Sequence, residues 1–241
     1  MRAGEIPMKK KKRIQDKWLT PCALLLLLIV ARPSCSVAQE CDVKKHVPLI
    51  EHYYSSLQDF YARFEQETTM GSLKRVEKGK GEVYFKKGGK MLWDYQSPSV
   101  QKIILDGKNL WVYLPDDHQV MKNNYSSLPS HIVADLFCGT VHIAKQFTVS
   151  CSSNGMGDNA STVVLTLIPI VYNPAVTELV LEVERRTHRI TSTQLTDEFG
   201  NKTVLRFFDI AVNTGVEDSL FTFVPPPGVD VFEPPRQHTG E

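Results

Sequence analysis

The chain has 241 residues, of which 28 are Lys or Arg and 27 are Asp or Glu, for a formal net charge of +1. Eight of the basic and two of the acidic residues lie in the first 38 positions, which leaves 20 basic against 25 acidic residues in the other 203. A net acidic domain without a basic stripe excludes nucleic acid as the expected ligand, because Lys and Arg contacts to phosphate supply most of that affinity.

The first 38 residues resemble a secretory signal peptide. A basic run at 9–13 precedes an apolar core at 24–31 and the small residues Ser36-Val37-Ala38. Thr20 and Pro21 interrupt the apolar run, which falls short of the ~20 residues that a spanning helix needs. The sequence therefore predicts cleavage after Ala38, export, and one domain over residues 39–241; the alternative is an uncleaved anchor.

Three cysteines remain in the predicted domain, and export permits disulfides. Cys138 and Cys151 would close a short loop, so they are the predicted pair, with Cys41 unpaired; the alternative is three free thiols. No Cys-x-x-Cys or His-x-x-x-His spacing occurs, so no metal site is predicted.

Residues 47–67 show the one long helical pattern. Its apolar positions recur at spacings of three and four, which predicts an amphipathic helix. They are Ile50, Tyr53, Leu57, Phe60 and Phe64.

After Gly71 the pattern changes to period two, which indicates antiparallel strands. The first pair, 81–86 and 90–96, forms a predicted hairpin that turns at Gly88-Gly89 and places Met91, Trp93 and Tyr95 on one face. Further strands are predicted at 100–105, 110–114, 146–151, 162–168, 178–184, 189–196, 203–210 and 221–224.

The strand at 110–114 is apolar without a break, so protein or ligand must cover both of its faces. Alternation does not decide whether Trp111 and Tyr113 face inward, or Leu110, Val112 and Leu114.

A short apolar helix is predicted at 126–139, with Pro129 in its first turn and Gly139 at its end. Such a helix inside a series of strands is either a core plug or a movable lid. The predicted fold class is α+β, mainly antiparallel β: an unclosed half-barrel whose concave apolar face is covered by helices.

The sequence contains one weak candidate for catalysis, the run Asp116-Asp117-His118. Pro115 before it makes a solvated turn the simpler interpretation, since no nucleophile or metal motif accompanies it. The protein is therefore predicted not to be an enzyme; the alternative is a small hydrolase that uses Asp117 and His118.

Three segments carry a resemblance to a known family: FYARFEQE, the run from GKGEVYF to LPDDHQV, and FTFVPPPGVDV. Together they resemble the LolA family of periplasmic carriers of outer-membrane lipoproteins, collinearly over residues 46–233. The resemblance implies an unclosed barrel capped by helices, a monomer without cofactors, and the acyl chains of lipoproteins as cargo. It also implies delivery from the inner-membrane transporter LolCDE to the outer-membrane receptor LolB.

The resemblance also implies the residues of the site. The implied acyl-chain cavity is lined by Phe85, Met91, Trp93, Tyr95, Leu105 and Val112. The implied lid consists of Leu128, Ile132, Val133, Leu136 and Phe137. Lys87-Gly88 stands where the family usually has Arg-Pro, and because lysine lacks the planar fork of arginine donors, Lys87 is expected to be a weaker latch for the lid.

Two other roles are compatible with the same fold. One is a carrier of another amphiphile, and the other is an envelope-stress sensor that binds lipidated signals. The single-domain length argues against the two-domain stress regulators.

Overall fold

A computed structural model describes residues 41–71, 73, 75–124, 132–151 and 161–233. The predicted signal peptide and Leu128 of the predicted lid lie outside these residues. Three α-helices are described: α1 (Val43–Ser56), α2 (Ile132–Phe137) and α3 (Ile143–Gln146). The strands before α2 are β1 (Asp59–Met70), β2 (Arg75–Lys86), β3 (Lys90–Ser97), β4 (Gln101–Asp106), β5 (Asn109–Leu114) and β6 (Gln119–Asn124). The strands after α3 are β7 (Phe147–Cys151), β8 (Thr162–Pro169), β9 (Glu178–Glu184), β10 (Ile190–Thr196), β11 (Lys202–Val212) and β12 (Asp230–Phe232).

The described strands form one sheet in the order β12-β6-β5-β4-β3-β2-β1-β11-β10-β9-β8-β7. Every neighbouring pair is antiparallel except β12 and β6, and the terminal strands β12 and β7 do not pair with each other. The predicted fold class, an unclosed and mainly antiparallel sheet with few helices, is confirmed. No helix in the described part of the chain has the length and apolar character needed to cross a membrane.

The predicted helix at 47–67 is wrong beyond Ser56. The hydroxyls of Ser55 and Ser56 donate to the carbonyls of His52 and Tyr53, and Leu57 is already extended, so the helix ends there. Phe60 and Phe64 are four residues apart, a spacing that fits a helical face and a strand face equally well. They belong to β1, where Phe60, Ala62 and Phe64 are buried on one face.

The apolar strand at 110–114 is covered on both faces by protein. Leu110 and Val112 join the main core on the inner face of the sheet, whereas Trp111 packs on the outer face. The outer face is covered by the C-terminal segment, in which Phe223 lies 5.6 Å from the Trp111 ring and 5.5 Å from the Tyr113 ring, centroid to centroid.

The predicted strand at 221–224 is wrong. Residues Asp218–Phe221 form a 3₁₀-helix, which directs the buried side chain of Phe221 against Leu92 and Ile104 on the outer face. The chain then pairs with a strand at β12, where Val231 aligns with Val120 of β6. Neither β6 nor β12 was predicted, because both are short and only weakly alternating.

Asp59 holds the beginning of the C-terminal segment in place. The carboxylate accepts hydrogen bonds from the Thr214 amide at 2.7 Å, the Thr214 hydroxyl at 3.0 Å, and the Gly215 and Val216 amides at 2.9 and 3.3 Å. Burial alone would raise the pKa of Asp59, but these hydrogen bonds outweigh it and lower the pKa below the ordinary 3.8. Asp59 is therefore charged and fully satisfied in the folded protein.

Asp59→Ala is expected to lower the free energy of unfolding by about 3 kcal/mol at neutral pH, because it leaves these donors without an acceptor. Since the folded pKa lies below the unfolded one, the stabilisation is complete above the unfolded pKa and is lost as the pH falls through the folded pKa. Urea unfolding is measured from neutral pH to below about pH 4. The difference in the free energy of unfolding between wild type and Asp59→Ala should shrink as the pH falls. Asp116→Ala, in an exposed turn, is the control, and an equal loss of stability in both variants would contradict the assignment.

The predicted disulfide between Cys138 and Cys151 is wrong. Cys151 is bonded to Cys41, with Cα atoms 6.0 Å apart, and Cys138 is a free thiol. The prediction favoured the short loop, but α1 lies against β7 in the fold. Cys41, just before α1, therefore reaches Cys151 at the end of β7.

Candidate functional site: the apolar inner face

The inner face of the sheet is a continuous apolar surface built from aligned rows of side chains. One row runs from Phe60 of β1 through Phe85, Met91 and Leu105 to Leu110 of β5. The next row contains Ala62, Val83, Trp93, Ile103 and Val112. The period-two pattern of each strand brings these residues to one face, as predicted for Met91, Trp93 and Tyr95.

All six predicted cavity residues lie on this face and belong to the main core cluster. Four are buried, namely Phe85, Met91, Trp93 and Leu105, and two are half-buried, namely Tyr95 and Val112. The Trp93 indole packs edge-on against Phe64, with centroids 4.8 Å apart, and its Nε1 donates to the Met91 sulfur at 3.1 Å. The prediction that these residues share one face is therefore confirmed. Their contact with cargo remains a prediction.

The last residue of α2, Phe137, sits at the centre of the inner face. Its ring stacks on Phe85 at 5.1 Å with an interplanar angle of 9°. Three other rings surround it, with centroid distances of 4.9 Å to Phe60, 4.9 Å to Phe207 and 5.3 Å to Tyr54. Leu136 and Ala134 are buried beside it, while Ile132 and Val133 are partly buried against the same cluster. The described part of the predicted lid therefore fills the inner face.

Gly139 allows α2 to meet the end of α1. Its φ is +68°, and a Cβ atom there would lie 2.6 Å from the Tyr54 carbonyl oxygen and 2.7 Å from the Ser55 amide. Only glycine fits this close approach, which confirms the predicted helix end.

Tyr54 fixes α1 itself to the sheet. Its hydroxyl accepts a hydrogen bond from the Ile190 amide of β10 at 2.8 Å, and burial raises the pKa of the phenol. With the disulfide at its other end, α1 is attached to the sheet at both ends. The described part of α2 is held by the packing of Phe137 and its neighbours, and by the close approach at Gly139.

Little free space is left where α2 meets the sheet. A cavity of about 10 Å³ lies beside Phe60, Phe85, Phe137, Cys138 and the Lys87 backbone turn. This is about the volume needed for one water molecule, far too small for an acyl chain. A larger group can occupy this space only if α2 moves.

Cys138 lies at the edge of this cavity. Burial, helped by the nearby Asp135 charge, raises the pKa of the thiol to about 12. The thiol is therefore protonated and poorly reactive while α2 is in place.

The predicted latch, Lys87, lies in the turn between β2 and β3 at the same edge. Its amide donates to the Gln58 carbonyl oxygen at 2.9 Å, and its side chain is exposed. A latch formed by Lys87 remains a prediction.

A second space, a cleft of about 310 Å³, is unsuited to acyl chains. Its lining includes the charged residues Glu65, Glu67, Lys78, Lys80 and Arg206, together with Gln66. The cross-strand partners Glu65, Lys80 and Arg206 alternate with the inward-facing Phe64, so they belong to the outer face of the sheet.

Sequence reasoning missed four aromatic members of the site: Tyr54, Phe60, Phe64 and Phe207. The first three were assigned to one helix, and Phe207 was seen only as part of a strand. The alternation of Leu205 and Phe207 was the available signal, because it places both on one face of β11.

Asp116, Asp117 and His118 form the exposed turn after β5, as predicted, with the His118 amide donating to the Pro115 carbonyl oxygen at 3.1 Å. Among the residues that the structure describes, no three His, Cys, Asp or Glu side chains are grouped to hold a metal ion.

The fold and the site define an open half-barrel whose apolar inner face is closed by short helices. Over residues 55–224 the sequence matches the family described as outer membrane lipoprotein carrier protein LolA. The chain belongs to this family, as its sequence motifs predicted.

Curated relatives agree with the family match. An outer-membrane lipoprotein carrier protein of Chromohalobacter salexigens is 28% identical over 217 residues, covering 90% of this chain and 96% of the relative. One of Alcanivorax borkumensis is 30% identical over 179 residues, covering 74% of this chain and 83% of the relative.

Among solved structures, an uncharacterized conserved protein from Thermus thermophilus is similar to this chain, with a TM-score of 0.52 and 12% identity. The match covers 79% of this chain and 98% of that protein. At this identity the similarity shows a shared fold and nothing further.

Proposed function

We propose that this protein carries the acyl chains of lipoproteins through the periplasm and that α2 leaves the inner face when cargo binds. The position of Phe137 carries the proposal. Its side chain occupies the centre of an apolar surface that is otherwise continuous, and the space beside it holds no more than about one water molecule. This packing supports a carrier in which α2 covers the inner face until cargo displaces it.

Transfer of a methylene group from water to an apolar surface contributes ~0.8 kcal/mol, so even partial cover of an acyl chain provides a large driving force. Closing of α2 competes with the cargo and lowers its net affinity. Moderate affinity suits a carrier, because the cargo must also be released.

The predicted signal peptide and the carrier family support the periplasm as the site of action. The family resemblance further supports LolCDE as the donor of cargo and LolB as its acceptor, in an organism that has both. Neither assignment requires a cofactor on the carrier itself.

Trp93→Gln tests the proposal, because it places a polar amide on the buried inner face. Trp111→Gln is the matched control, since Trp111 lies on the outer face of the same sheet. Release of lipoproteins from spheroplasts and their transfer to acceptor membranes should fall at least tenfold in the Trp93 variant and little in the control, consistent with a penalty of at least about 1.4 kcal/mol. Both variants must retain the circular dichroism spectrum of the wild type.

Equal transfer by folded Trp93→Gln and wild-type protein would contradict the assignment of the inner face as the cargo site. Mass spectrometry of the native protein should detect triacylated peptides as the bound species. Another bound lipid would indicate a carrier of a different amphiphile.

A further inference from the structure

The inner face changes from apolar to polar along β1. Phe60, Ala62 and Phe64 are buried and apolar, but the next two inward positions are Gln66 and Thr68. Both are half-buried, so this end of the inner face is polar and partly open to solvent, beside the charged cleft that Gln66 also lines.

The polar residues at this end are hydrogen-bonded to one another across three strands. The Tyr95 hydroxyl of β3 donates to the Gln66 side-chain oxygen at 2.8 Å. The Gln66 amide nitrogen donates to the Thr68 hydroxyl at 3.2 Å, and the Thr68 and Thr203 hydroxyls lie 3.3 Å apart. We call these four side chains the polar barrier. Because each of its members has a partner, breaking the barrier is costly.

Two glycines of β2 lie next to Tyr95. A Cβ atom on Gly79 would lie 3.4 Å from the Tyr95 ring, and one on Gly81 would lie 2.0 Å from the Asp94 carbonyl oxygen. Only glycine at position 81 therefore allows β2 to approach the β3 backbone this closely. The Tyr95 ring lies at an ordinary van der Waals distance from position 79. It also contacts Phe64, with centroids 4.9 Å apart, which places the barrier directly beside the apolar surface.

The distance from Phe60 to Gln66 is six strand residues, or about 20 Å at ~3.3 Å per residue. An extended chain advances about 1.2 Å per covalent bond, so about 16 bonds fit between Phe60, which contacts Phe137, and the barrier. This is the length of a palmitoyl chain.

We propose that the polar barrier of Gln66, Thr68, Tyr95 and Thr203 sets the maximum length of acyl chain that the inner face accepts. A longer chain must either separate Tyr95 from Gln66 or press methylene groups against polar atoms. Methylene groups beyond the barrier therefore add no further binding free energy. This inference rests on the proposed function, because it assumes that acyl chains lie along β1.

The double variant Tyr95→Phe, Gln66→Leu removes both partners of the central hydrogen bond and leaves similar volumes, so it is designed to fold. Binding is measured by displacement of a fluorescent apolar dye with lysophosphatidylcholines below their critical micelle concentrations. The acyl chains are myristoyl, palmitoyl, stearoyl and arachidoyl. Wild-type affinity should rise about fourfold per methylene up to palmitoyl and then level off, whereas affinity of the double variant should continue to rise.

Tyr61→Phe is the matched control. Its hydroxyl donates to Glu82 at 3.3 Å on the outer face of the same strand, so the variant loses a hydrogen bond but should keep the wild-type length profile. The inference is overturned if both proteins bind and their affinities level off at the same acyl-chain length. Absence of binding by wild type at every length would overturn the proposed function as well.

Discussion

Phe137→Ala is expected to shift the protein toward an open form in which α2 has left the inner face. Loss of a buried phenylalanine costs about 3–5 kcal/mol, and here the loss falls on the contacts that hold α2 on the inner face. The ratio of open to closed protein should rise at least 100-fold, since each 1.4 kcal/mol is tenfold. Labelling of the partly buried Cys138 thiol under native conditions should accelerate, and palmitoyl lysophosphatidylcholine should bind more tightly because less closing energy opposes it.

Phe221→Ala is the matched control for this experiment. Phe221 is as fully buried as Phe137, but it packs on the outer face against Leu92 and Ile104. Its replacement should lower the free energy of unfolding by a similar amount and leave the Cys138 labelling rate near that of wild type. If both variants accelerate labelling equally, α2 opens only when the whole protein unfolds, and the role of α2 as a lid is wrong.

Removal of the disulfide is expected to cause the largest loss of stability. The bond between Cys41 and Cys151 closes a loop with a sequence separation of 110 residues. By the chain-entropy estimate, its loss destabilises the folded protein by about 5 kcal/mol. Cys41→Ser, Cys151→Ser should therefore unfold at a much lower urea concentration than wild type, and reduced wild-type protein should behave like the variant.

Cys138→Ser is the control, since this thiol forms no disulfide, and its effect on stability should be small by comparison. A thiol assay on denatured, non-reduced protein without the signal peptide should count one free thiol in wild type and none in Cys138→Ser. Three free thiols in wild type would contradict the assigned pairing.

Alternation was sufficient to predict the hairpin strands from Gly81 to Gln96 and the face on which Met91, Trp93 and Tyr95 lie. The reason is physical: each of these strands has one face in the main core, so a shift of one residue would expose the buried set. The short apolar helix before Gly139 was predicted from the helical spacing of its apolar residues and from the glycine, which is typical of a helix end.

Three features could not be predicted because they depend on contacts between distant parts of the chain. The spacing of Phe60 and Phe64 fits a helix as well as a strand, and only the pairing of β1 with β2 and β11 decides between them. The partner of Cys151 depends on where α1 meets β7. The cover over Trp111 comes from Phe223, a residue far along the chain.

Because the sheet is unclosed, the protein must limit aggregation through the edges of its sheet. An unclosed sheet has two edges, and unpaired strand edges are templates for aggregation. Here the edge strands are β7, with five residues, and β12, with three. Without β12 the edge would be the six-residue β6. The short terminal strand thus protects, at small cost in chain length, one edge of a sheet that remains unclosed.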